Sequence, residues 1–185
     1  MKKIAVCILV ALMVTTGVVS YSESLSEELS EGIIRLHVIA ESNLREDQRV
    51  KLKVRDALLK EMEHFEKSED VKKSLQVFEE IANKVLLEEG FTYKAKAEYG
   101  KFEFPTKHYD NFSLPKGEYN AVRIKLGQAE GENWWCVLFP PLCMVDAATE
   151  ESESLLRETF GENYALVTEG DRLPVKIKFK IAELF

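Results

Sequence analysis

The sequence predicts an α+β fold, a mainly antiparallel sheet with two helices packed on one face. Three observations carry that expectation. An apolar, β-branched run at residues 33–40 precedes two long segments whose apolar residues recur at helical spacing. After Gly90 the period switches to two in two segments, and an uncharged apolar segment follows them. The resulting order, β-α-α-β-β-β with a mixed tail, suits helices layered on a sheet. A chain of 185 residues holds one such domain and not two comfortable cores.

The N-terminus reads separately. "MKKIAVCILVALMVTTGVVSYS" gives two lysines and then an uncharged run at residues 4–19. That run is short for a membrane span, which needs about 20 apolar residues. A basic start, a short apolar run and small residues at its end describe a secretory signal peptide at residues 1–20, cut before Tyr21. An uncleaved anchor is the alternative. Residues 21–31, "YSESLSEELSE", read as a flexible acidic lead-in, and residues 32–185 as a single globular domain.

In the first strand, "GIIRLHVIAES", Ile34, Leu36, Val38 and Ala40 alternate with Ile33, Arg35, His37 and Ile39. A run this apolar reads as buried on both faces. Asn43, with Glu46 three residues on, predicts a capped helix start. Val50, Val54, Ala57, Leu58, Met62 and Phe65 form that helix's stripe, with Asp47 and Lys51 spaced to pair. Ser68 predicts a second helix start, Val71, Leu75, Phe78, Ala82, Val85 and Leu86 its stripe, and Gly90 its end.

"FTYKAKAEYGKFEF" and "EYNAVRIKLG" alternate like half-exposed strands, joined by the long loop "FPTKHYDNFSLPKGEY". The third strand is "NWWCVLFPPLC", uncharged, with both tryptophans and two of the three cysteines. Alternation puts Trp134, Cys136 and Leu138 on one face and Trp135, Val137 and Phe139 on the other. Both faces are apolar, so the strand is central or one face meets a partner. Pro140 has no N–H, so pairing stops there. "DAATEESESLLRETFG" predicts a short helix, and residues 175–185 suit either a strand or a helix.

The formal net charge of −7 argues against a nucleic-acid binder. No metal, cofactor or small-molecule motif occurs, so none is expected. In an exported domain Cys136 and Cys143 are a natural disulfide pair; two buried thiols are the alternative. The histidines are His37, His64 and His108. A Cys136–His37 nucleophilic pair would make an exported thiol enzyme, a second reading beside a binding protein. Arg35, His37 and Asn43 mark a polar strand-to-helix corner. It is either ordinary capping or a recognition site. Trp134 and Trp135 are either core residues or an exposed anchor.

"IIRLHVIAESNLREDQRVKLKVRDAL", "FPTKHYDNFSLPKGEYNAVRIKLG" and "GENWWCVLFPPLC" resemble, in this order, the blocks of the stage II sporulation protein R family of endospore-forming bacteria. The resemblance implies a signal exported from the forespore into the space between forespore and mother-cell membranes. The implied partner there is a membrane-embedded aspartic protease that removes the pro-sequence of sigma-E. The resemblance brings no catalytic residue, and it leaves membrane contact to the signal segment alone.

Overall fold

The computed structural model describes residues 2–62, 68–142 and 149–168. The chain runs α1 (Lys2–Glu31), β1 (Ile34–Ile39), α2 (Arg45–Met62), α3 (Ser68–Lys73), α4 (Leu75–Glu88), β2 (Ala95–Phe104), β3 (Lys107–His108), β4 (Ser113–Leu114), β5 (Gly117–Leu126), β6 (Asn133–Phe139), α5 (Glu150–Phe160), a 3-10 turn (Gly161–Asn163) and α6 (Tyr164–Thr168). Phe65, His64, Cys143 and the ambiguous tail at 175–185 lie outside the described residues.

The α+β class holds. The main sheet has the order β2-β5-β1-β6. β2 pairs with β5 and β6 with β1 antiparallel, while β1 and β5 run parallel. A parallel pair needs a long crossover, and α2 to α4 lie in the connection between those two strands. β1 is an inner strand, which explains why its apolar run hardly alternates: five of its six residues are buried.

The two expected helices pack on one face. Val50, Val54 and Leu58 of α2 and Phe78, Ala82 and Leu86 of α4 meet Leu36, Val38, Val122, Ile124, Cys136 and Leu138 of the sheet. The other face is covered too. There Ile33, Tyr119, Ala121 and Val137 lie under Leu29, Phe112, Leu114, Leu156, Phe160 and Val167. Burying one leucine stabilises by roughly 1.5–3 kcal/mol, so single residues such as Leu29 and Leu156 hold a polar helix down. Their segments are too acidic to show a stripe.

Several expectations change. Residues 21–31 form the last part of α1, whose Leu29 and Ser30 are buried. The second helix is broken into α3 and α4 at Ser74, whose N–H reaches both Asp70 and Val71 carbonyls. The apolar stripe runs on across that break, so spacing did not reveal it. The long loop contains the β3–β4 hairpin, closed by Tyr109 N–H to the Phe112 carbonyl at 2.8 Å.

Among the described residues β6 is the end strand of the sheet, not a central one. Both its faces are nevertheless used, one in each core cluster. The strand stops at Phe139, before Pro140, as expected. A register shift opposite Ile34 and Arg35 turns Phe139 to the helix-covered face, beside Leu138 rather than Val137.

Residues Val6, Ile8, Leu9, Leu12 and Met13 of α1 are exposed. Among the described residues no helix is long and apolar enough to cross a membrane.

Candidate partner-docking site

The polar corner after β1 is an internal clamp. Ser42 Oγ donates to Asp47 Oδ2 at 2.5 Å, and Tyr93 Oη donates to Asp47 Oδ1 at 2.7 Å. Burial, and then the Asp47 carboxylate, hold the Tyr93 phenol well above its ordinary pKa. Lys51 Nζ does not bond Asp47; it donates to Gln48 Oε1 at 2.6 Å and to the Glu132 carbonyl at 2.9 Å. Asn43 does not cap α2. Its Oδ1 accepts from Glu132 N–H at 2.8 Å, while Ser42 Oγ takes the Leu44 N–H. The corner therefore ties the β1–α2 loop to the β5–β6 turn. Of the three residues expected there, Asn43 alone belongs to it.

Arg35 and His37 face the opposite way, onto the sheet face away from α2 and α4. Arg35 is fully buried, which corrects its reading as part of the polar corner. Its guanidinium carbon lies 4.1 Å from the Phe104 ring centre and 4.9 Å from that of Tyr119. Two aromatic faces offset part of the cost of burying the cation. Nη2 donates to Tyr109 Oη at 2.7 Å. Burial lowers the Arg35 pKa from its ordinary value.

His37 is buried two residues on, opposite Trp135 in the β1–β6 ladder. The rings stack with centroids 3.7 Å apart. Nε2 carries its proton to Asn133 Oδ1 at 2.6 Å, which fixes the ring plane. Desolvation lowers the His37 pKa to about 4, so the imidazole is neutral at pH 7. Trp135 also meets the Phe104 edge. It remains half-buried, so part of its indole is open to solvent.

The strand pairing extends this face beyond what the sequence suggested. Arg123 lies opposite His37 on β5, and Glu98 opposite Arg123 on β2. Glu98 pairs with Arg123 and, at 2.8 Å, with Lys125. The Arg123 guanidinium lies 3.9 Å from the Phe102 ring centre. These side chains are all partly exposed. The result is an aromatic and charged row across one sheet face, with Trp135 at its β6 end. Alternation on β2 and β5 was the only sequence signal for it, and register was needed to join the strands.

Trp134 points to the other face, against the helix-side core. The Arg55 guanidinium covers it at 4.2 Å, and its Nε1 is buried without an acceptor among the described residues. The two tryptophans therefore do not form one patch.

Cys136 is buried on the helix side, opposite Leu36. His37 is on the other side of the same sheet, so the suggested Cys136–His37 pair is not formed. His108 sits on the hairpin, with Nδ1 2.8 Å from Ser113 Oγ. Among the described residues no cluster of three His, Cys, Asp or Glu side chains is placed to hold a metal ion.

Comparison with known proteins agrees with the sequence blocks. The stage II sporulation protein R family profile matches residues 30–149, the stretch that holds every strand among the described residues. The stage II sporulation protein R of Bacillus subtilis (strain 168) is 33% identical over 167 residues, covering 82% of this chain and 75% of that protein. No solved structure matches. A match across the sheet, both tryptophans and the Arg35–His37 strand places this chain in the stage II sporulation protein R family.

Proposed function

We propose that the chain is an exported intercellular signal of endospore formation. In this reading it leaves the forespore by its N-terminal signal segment and acts between the forespore and mother-cell membranes. There it binds and activates the membrane-embedded aspartic protease that processes pro-sigma-E. The family match over the sheet is the observation that carries this reading.

The mechanism follows from binding alone. A ligand activates a protease only by favouring its active form over its inactive one. The surface offered for that purpose is the Trp135 face. Its indole is pre-ordered by His37 and Phe104, which lowers the entropy lost on docking. Arg123, Lys125 and Glu98, paired with one another on β5 and β2, add charges farther along the same sheet face.

Reconstitution tests it. The purified chain, the protease in vesicles and pro-sigma-E are combined, and cleavage is followed. Cleavage that depends on the chain and saturates with it is expected. Equal cleavage with and without the chain would overturn the reading.

A further inference from the structure

The buried Arg35 is incompletely satisfied. Among the described residues its Nε and Nη1 are buried and find no acceptor, and only Tyr109 Oη takes a hydrogen bond, from Nη2. No carboxylate pairs with it among the described residues. A guanidinium left in this state is costly, and an apolar side chain of similar length would fill the space at less cost.

We propose that Arg35 is a gated carboxylate receptor, closed by Tyr109 and opened to take an acidic side chain of a partner protein. The chemistry of the group selects the ligand. A guanidinium binds a carboxylate by two parallel N–H bonds, and Nη2 belongs to both edges that can do so. Nη2 carries two N–H groups, one on each edge, and the Tyr109 hydroxyl takes one of them, so two-point pairing on that edge displaces it.

The gate is placed to move. Tyr109 is half-buried and sits at the tip of the β3–β4 hairpin, whose strands are two residues each. Its ring stacks on Phe112, with centroids 4.5 Å apart. Phe112 and Leu114 anchor the hairpin in the core, so Tyr109 can swing out while the hairpin stays. The walls left behind, Phe104 and Tyr119, keep the guanidinium aimed and dry. A desolvated charge pair formed there would be stronger than one on the surface.

The identity of the partner rests on the protease reading above; the receptor chemistry does not. Two measurements separate them. The first follows the Arg35 Nε–H resonance of the purified chain during titration with acetate and, separately, inorganic phosphate. A saturable shift with acetate is expected, and Tyr109→Phe should raise the acetate affinity severalfold by removing the competing hydroxyl. Acetate leaving the Arg35 signal unmoved in both proteins would overturn the proposal, and so would a response to phosphate alone. The second compares wild type and Arg35→Met for binding to the exported portion of the protease. Arg35→Met should keep or raise the melting temperature and lose at least tenfold in binding. Wild-type binding by folded Arg35→Met would overturn the receptor and leave the protease reading intact. An acetate response in a chain that does not bind the protease would leave the receptor standing and remove that partner.

Discussion

The imidazole of His37 lies against the indole of Trp135, 18° from parallel, with ring centroids 3.7 Å apart. One ring is buried and the other half-exposed. Its first consequence is a dependence on pH. Desolvation lowers the His37 pKa from 6.5 to about 4. The folded state therefore binds the proton less readily than the unfolded one. Stability contributed by neutral His37 is complete above pH 6.5 and falls as pH drops from there toward 4, the loss levelling off below it. The shift corresponds to a loss on the order of 3 kcal/mol at most. Urea unfolding between pH 7 and pH 4 should show it. His37→Phe keeps a ring against Trp135 and should flatten that part of the profile.

The clamp between Asp47 and Tyr93 gives a second expectation. Asp47 is buried and accepts from both Ser42 and Tyr93. Asp47→Ala leaves two hydroxyls without their acceptor and should cost about 2–3 kcal/mol. Tyr93→Phe removes one hydrogen bond and its donor together, and should cost only about 1 kcal/mol. Chemical denaturation of the two variants measures the difference. Equal losses would mean that the clamp carries no buried polar penalty.

Gly127 supplies a third. Its φ is +57°, and a Cβ built there would overlap the Glu41 carboxylate, which accepts the Gln128 N–H. Gly127→Ala should destabilise by about 2 kcal/mol or more, combining backbone strain and a clash. Adding Glu41→Ala removes the clash and leaves the strain. The double variant should therefore be more stable than the sum of the single losses allows, a coupling that a double-mutant cycle reads directly.

Much of this architecture was legible because it depends on local period. Ile34, Leu36 and Val38 alternate with Ile33, Arg35 and His37, and the structure keeps the two sets on opposite faces. Val50, Val54 and Leu58 mark α2, and Pro140 marks the end of β6. What was missed depends on partners distant in sequence. Arg35 reads as part of a polar corner until Phe104 and Tyr119 are seen on either side of it. Asn43 fits a capping pattern, yet Glu132 takes its side chain. Arg123 and Phe102 join the Trp135 face only through the register of β2, β5 and β1.

The cysteine pair is a fourth test. Cys136 is buried on β6, and Cys143 lies outside the described residues. We propose that the two form a structural disulfide. A bridge over so short a loop stabilises by roughly 2.5 kcal/mol through chain entropy. Replacing both by serine should lower the melting temperature and leave pro-sigma-E processing intact at permissive temperature. Loss of processing by a folded, exported double variant would instead assign the thiols a direct part in signalling.

The two neighbouring tryptophans give the sharpest prediction, because β-strand alternation sends them to opposite faces. Trp134 packs on the helix-side core under Arg55. Trp135 shares the sheet face proposed to meet the protease with Arg123, two strands away, and with Glu98 and Phe102, three strands away, and a half-exposed, pre-ordered indole is a favourable interface anchor. Trp135→Ala should weaken binding to the protease's exported portion by about 2 kcal/mol or more. Trp134→Ala should act through folding: its melting temperature falls, while the binding of the folded fraction is kept. Trp135 also touches Phe104, so Trp135→Ala loses some stability of its own. Arg123→Ala controls for that, since it trims the rim without opening the core; it should reduce binding by a smaller amount and leave melting nearly unchanged. Binding is compared at a temperature where all three variants are folded. If Trp135→Ala and Arg123→Ala both bind and activate as wild type does, the partner docks elsewhere on the molecule.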